Sequence, residues 1–184
     1  MRAIIGILVG IGLIVLILVL VFTGGSSNNS PKQPLYMPNY WNSGSYAEIT
    51  QTGPINAPQS HQELTMSVSE TDSTLSILNG YENNVVSTNN FPMDPTAYTD
   101  FLFALQRLDF TSGNNSSSLS DSRGYCPFGD LYTFSFNNGT NQVENYWENT
   151  CGQGNFEGQA GPIKDLFIAE IPNYDNLTSG LTNL

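Results

Sequence analysis

The stretch from Cys126 to Cys151, CPFGDLYTFSFNNGTNQVENYWENTC, leaves the middle of this chain little choice of fold. Tyr132, Phe134 and Phe136 alternate with other residues, Asn138-Gly139 follows, and Val143 and Trp147 come on the return. Asn-Gly is the dipeptide that best accepts the two positive φ angles of a type I′ turn, so the pattern predicts a β-hairpin centred on it. With the turn on those two residues, Phe134 is expected opposite Val143 and Cys126 opposite Cys151. Even-numbered residues of the first strand then occupy non-hydrogen-bonded positions, where facing side chains come close enough for a disulfide.

These are the chain's two cysteines. A pair placed to bond points to an oxidising compartment rather than to a metal site or a thiol enzyme, two unpaired buried thiols being the competing reading.

The N-terminus agrees with export. Ala3 to Phe22 is an unbroken run of apolar residues and glycine, long enough as a helix to span the hydrocarbon core of a bilayer. Arg2 and the amino group are the positive charges beside it, which keeps the short N-terminal flank cytoplasmic and places the chain beyond Thr23 outside the cell. A cleaved signal would need a shorter apolar stretch and a small-x-small site, which VFTGG lacks, so residues 1–23 are expected to be a single-pass signal-anchor. Gly6 and Gly10 have the spacing that lets two membrane helices approach, a candidate homodimer face.

Residues 24–60 are rich in Pro, Ser and Asn and read as an extracytoplasmic tether with a reach of roughly 30 to 37 Å. Tyr36, Tyr40 and Trp41 add aromatic surface, expected to dock on the chain's own domain, to sit near the headgroups, or to face a ligand such as an envelope glycan.

A domain of residues 61–177 is expected beyond the tether, with residues 178–184 as a tail. Leu64, Met66 and Val68 alternate, as do Leu75 and Ile77, and Val85 to Ser87 suggest a third strand. Asp94-Pro95 is a helix start, a carboxylate N-cap with proline at the first helical position, and Tyr98, Phe101, Leu102, Leu105 and Leu108 make one apolar stripe. A second helix is expected from Pro162, with Ile163, Leu166, Phe167 and Ile171 apolar. The order β-β-β-α-β-β-α implies an α+β domain, two helices on one face of an antiparallel sheet, stapled by one disulfide.

The formal charge is −11, which disfavours nucleic acid and anionic lipid headgroups as partners. No catalytic, cofactor or metal constellation is legible. His61 is the sole histidine, expected at the surface where tether meets domain, and no nucleophile motif, zinc set or calcium loop is present. Glu144 and Glu148 share a strand face, but four residues of strand separate them by about 13 Å, beyond the roughly 5 to 9.5 Å of glycosidase carboxylates. Asp130 is expected on the opposite face from Glu148. Gly152, Gly154, Gly158 and Gly161 precede a helix without the lysine of a phosphate loop, and read as a tight connection.

Taken together, RGYCPFGDLYTFSF, YWENTCGQGNFEG and IKDLFIAEIPNYDNL resemble a group of uncharacterised membrane-anchored proteins of Saccharibacteria-type candidate-phyla bacteria. The likeness rests on Cys126, Trp147, Cys151, Ile171, Pro172 and Tyr174. It implies a bacterial surface location and a structural or binding role in the envelope, without a mechanism. The first reading is a surface module that meets an envelope protein, a glycan or a host cell; an envelope enzyme acting on cell-wall polymer through loop-borne carboxylates is the alternative, and a helper subunit of a membrane complex a third.

Overall fold

The computed structural model describes residues 35–182 and 184. The expected anchor, with Gly6 and Gly10, and the first part of the expected tether lie outside the described residues. No helix among the described residues is long and apolar enough to cross a membrane.

Six antiparallel strands form one sheet: β1 (Ser45–Thr52), β2 (Gln62–Ser69), β3 (Asp72–Asn79), β4 (Asn84–Pro92), β5 (Leu131–Asn138) and β6 (Asn141–Asn149). Their order across it is β4-β3-β2-β1-β5-β6. Three helices complete the domain, α1 (Pro95–Arg107), α2 (Ala160–Ala169) and α3 (Tyr174–Thr178). The α+β class is as expected, with one more strand and one more short helix.

The extra strand corrects the domain boundary. The compact unit runs from Pro34, not from His61. What the composition suggests is a tether contributes a 3-10 turn at Met37–Tyr40 and then β1, which lies between β2 and β5. Alternation explains it: Ser45, Ala47 and Ile49 turn inward and are buried. Upstream, Met37 is buried and its N–H donates to Gln106 Oε1 of α1 at 2.9 Å. Tyr98 of α1 donates its hydroxyl to the Ser45 carbonyl at 2.9 Å.

One face of the sheet carries the core. Ile49, Leu64, Met66, Leu75, Phe134 and Phe136 meet Tyr98, Phe101, Leu102 and Leu105 of α1 and Ile163 and Phe167 of α2 in one cluster. Asp94 caps α1 as expected, accepting from the Thr96 N–H at 2.8 Å. The outer face is built of hydroxyls and carboxylates: Thr50 and Thr65 lie 3.2 Å apart across strands, and Thr52 donates to Glu63 at 3.0 Å. Burial, with Glu63 nearby, raises the Glu48 carboxyl above its ordinary value.

The β5–β6 hairpin forms, but not in the expected register. Asn138 pairs with Asn141, leaving Gly139-Thr140 as the turn, and a bulge at Phe136/Asn137 shifts the ladder once more. Gly139 has positive φ and Thr140 does not, the pattern of a type II′ turn. Phe134 therefore faces Tyr146, not Val143. The Cys126–Cys151 disulfide exists with a Cα separation of 5.9 Å, yet it lies beyond the ladder. It joins the turn that Gly129 closes by donating its N–H to the Cys126 carbonyl, 3.1 Å, to the turn just after β6.

Candidate functional site

At the end of the sheet where β1 and β3 finish, three loops enclose a cleft on the outer face. Its volume is about 250 Å³, and Thr52, Glu63 and Leu131 are at its base. The first wall is residues 53–61, tied at its start by the Gly53 N–H to the Gln62 carbonyl, 3.0 Å. The second is the β3–β4 turn, where Gly80 (φ +76°) and Asn83 (φ +55°) take left-handed conformations and Gly80 donates to the His61 carbonyl at 2.9 Å. The third is residues 122–131, held by the disulfide and by the Ile55 N–H donating to the Pro127 carbonyl at 2.8 Å.

The second wall presents Tyr81, half exposed and fixed at both ends. Its ring lies 4.0 Å from His61, nearly parallel at 16°. Its hydroxyl donates to the Asn56 carbonyl (2.9 Å) and accepts from the Asn56 N–H (3.0 Å). His61 is not a surface residue: it is 3% exposed, beneath Tyr81, with Nδ1 3.3 Å from the Pro54 carbonyl. Gly80 and Tyr81 also border a second depression of about 440 Å³ that reaches Pro58, Asn79 and Glu82. Two buried amide oxygens beside this turn, Asn56 Oδ1 and Asn79 Oδ1, have no hydrogen-bond partner.

The core face of the same end carries ionisable groups. Lys164 Nζ of α2 sits 3.9 Å from the centroid of the Tyr132 ring. Asp130 accepts from Gln51 Nε2 at 3.0 Å and from the Tyr132 hydroxyl at 3.4 Å. Glu148 is the cross-strand partner of Tyr132. Asp130 thus shares a face with Glu148, contrary to expectation, because the register shift moves it there. Burial, then the charge of Asp130, push the Tyr132 phenol up to about 12. Burial raises the Glu148 carboxyl, with Lys164 opposing. Glu144, farther along the strand, accepts from the Tyr146 hydroxyl at 2.9 Å.

Tyr36, Tyr40 and Trp41 do not converge on the cleft. Tyr40 packs edge-on against Phe136 at 5.6 Å, and Tyr36 stands edge-on to Phe103 of α1 at 6.4 Å. Trp41 is partly exposed. Two of the four glycines serve close approach: a side chain at Gly154 would collide with the Trp147 carbonyl, and one at Gly158 with that of Asp109, whereas Gly152 (φ +76°) and Gly161 face open space. No group of His, Cys, Asp and Glu among the described residues could hold a metal ion.

Sequence reasoning missed Tyr81. The available signal was an aromatic residue directly after Asn79-Gly80, inside a turn. Compared against protein-family models and against curated proteins, the chain matches none of them.

Proposed function

We propose that this chain is a single-pass, surface-displayed binding module. In this reading Ala3–Phe22 anchors it, the domain from Pro34 onward is exported, and the cleft at the disulfide end meets a component of the cell envelope. The observation that carries the reading is Tyr81, a half-exposed aromatic ring held rigid by His61 and Asn56 at the lip of an open cleft. A fixed aromatic with a polar rim is what a recognition site needs, because little side-chain freedom remains to be lost on binding. The disulfide suits an oxidising location and secures one cleft wall.

The test uses the full chain in a sugar-free detergent, incubated with washed envelope from a bacterium. Retention that falls on Tyr81→Ala, with the disulfide and thermal unfolding preserved, is the expected result. Retention indifferent to Tyr81 refutes the reading. Protease added to intact expressing cells should digest the domain; a protected domain refutes the topology.

A second reading, an envelope enzyme, is favoured by one observation: Asp130, Glu148 and Lys164 surround Tyr132 on one face. Burial raises the Glu148 carboxyl, the direction in which a general acid is tuned, while Lys164 opposes it. Turnover of purified wall polymer, abolished by both Asp130→Asn and Glu148→Gln, would establish it; no turnover by the native chain removes it.

A further inference from the structure

The ligand class can be read from the surroundings of Tyr81. We infer that the cleft takes a neutral saccharide chain, with one sugar ring on the bare face of Tyr81 and its neighbours in the two depressions on either side. This rests on the binding-module reading and adds the chemistry of the ligand.

The ring's inner face is covered by His61 at 4.0 Å, while half of the residue remains open to solvent. An aromatic face is the negative part of its quadrupole, and the C–H edges of a pyranose are weakly positive and flat enough to lie on it. Because both ring and hydroxyl are already fixed, stacking costs little ordering.

The polar groups around the ring are rich in acceptors. Glu63 lines the cleft, and Glu82 and Asn79 line the adjoining depression. Sugar hydroxyls supply donors in quantity to such acceptors.

Charge narrows the class. Among the described residues Arg123 is the one cation lining the cleft, and its guanidinium donates to both carboxylate oxygens of Asp121. With Glu63 at the base of the cleft, Glu82 in the adjoining depression and a net charge of −11, a phosphorylated or uronic polymer meets repulsion. Two depressions that share Gly80 and Tyr81 suit a chain of sugars better than a single one.

The experiment titrates the full chain, in a sugar-free detergent, with cellotetraose and chitotetraose as neutral probes. A galacturonic acid tetramer is the anionic comparison and a proline-rich decapeptide the peptide comparison. At least one neutral probe should bind, and saturation transfer by NMR should reach the Tyr81 ring protons in the native chain, which needs no variant to fold. Tyr81→Ala should weaken binding about 5- to 10-fold, the worth of a stacked aromatic contact. Tyr81→Phe, which keeps the ring, should lose less, and Phe103→Ser on α1 should change nothing. If neither neutral probe binds while envelope retention still depends on Tyr81, the saccharide is wrong and the binding module stands. Preference for the anionic tetramer or the peptide overturns the saccharide likewise. Envelope retention that ignores Tyr81 removes both.

Discussion

The two edges of the sheet are treated in opposite ways. Beyond β6 the chain folds back on itself: Asn155 and Phe156 donate to the Trp147 carbonyl at 2.9 and 3.1 Å, and Asn149 donates to Gln153 at 2.9 Å. The loop after α1 lies on top, with the Asn114 N–H on the Asn155 carbonyl at 2.7 Å and the Trp147 indole N–H on the Leu119 carbonyl at 2.8 Å. The disulfide closes this wrapping. At the other edge, β4 is uncharged and exposes Val85 and Val86. A bulge between Ile77 and Leu78 of β3 leaves Val86 unpaired on the β4 side. An open edge is a template for unwanted pairing, and covering it or bending it with a bulge are alternative remedies. The difference teaches where rigidity is concentrated: the covered edge secures the third wall of the cleft, and the bulged edge leads directly into the Tyr81 turn.

The largest expected effect breaks the covered edge. Replacing both Cys126 and Cys151 by Ser frees a loop whose ends are 25 residues apart. The chain-entropy model credits such a crosslink with about 3.5 kcal/mol. Chemical denaturation should show a loss of that order, and hydrogen exchange should quicken in residues 112–130 before β4 changes. Equal acceleration at both edges would mean that the disulfide does not act locally.

Next is Trp147→Phe, which retains most of the ring against Tyr125, 5.2 Å away, but removes the hydrogen bond to Leu119. One such bond contributes about 1 kcal/mol. The melting temperature should fall modestly while amides of residues 117–125 lose protection.

That Trp147 would matter could be seen only in part from the sequence. The alternation on β2 and β3 and the Asp94-Pro95 cap were legible because each signal is local. The cysteine pairing was legible too, though for a register that does not occur. Asn138-Gly139 was the obvious turn, but Gly139-Thr140 is used, because a Gly at the first turn position with positive φ is enough for a type II′ turn. The bulge then leaves Val143 extra, an irregularity that no residue type announces. β1 was hidden by its small residues. Ser45 and Ala47 read as linker composition, yet at an interior position of the sheet both are buried, Ser45 against Tyr98 of α1. The Tyr81–His61 stack joins two loops 20 residues apart through tertiary contact, which single-sequence periodicity does not encode.

pH offers a gentler way to separate the edges. β4 contains no ionisable side chain, whereas β6 carries Glu148, whose carboxyl is held above the ordinary 4.5 by burial. A carboxyl with a raised folded value contributes stability that is complete below 4.5 and lost as pH rises through that folded value. Glu148→Gln should therefore match the native chain in acid and gain on it as pH climbs from 4.5 toward neutrality, read from melting temperatures across that interval. A constant gap between the two curves would show that burial does not disfavour the ionised form.

The smallest effect is expected at the bulged edge. Val86 is 61% exposed and unpaired on its partner strand, so Val86→Ser removes little buried area and no ladder hydrogen bond to β3. Surface changes of this kind stay within about 0.5 kcal/mol. The bulge also decouples the substitution from Asn84 and Tyr81, since the ladder resumes at Val85 opposite Leu78. Stability and the Tyr81 ring resonances should both remain as in the native chain. A loss above about 1 kcal/mol would be too large for an exposed side chain. It would show that Val86 is covered in solution and that the two edges are less different than their strand pairing indicates.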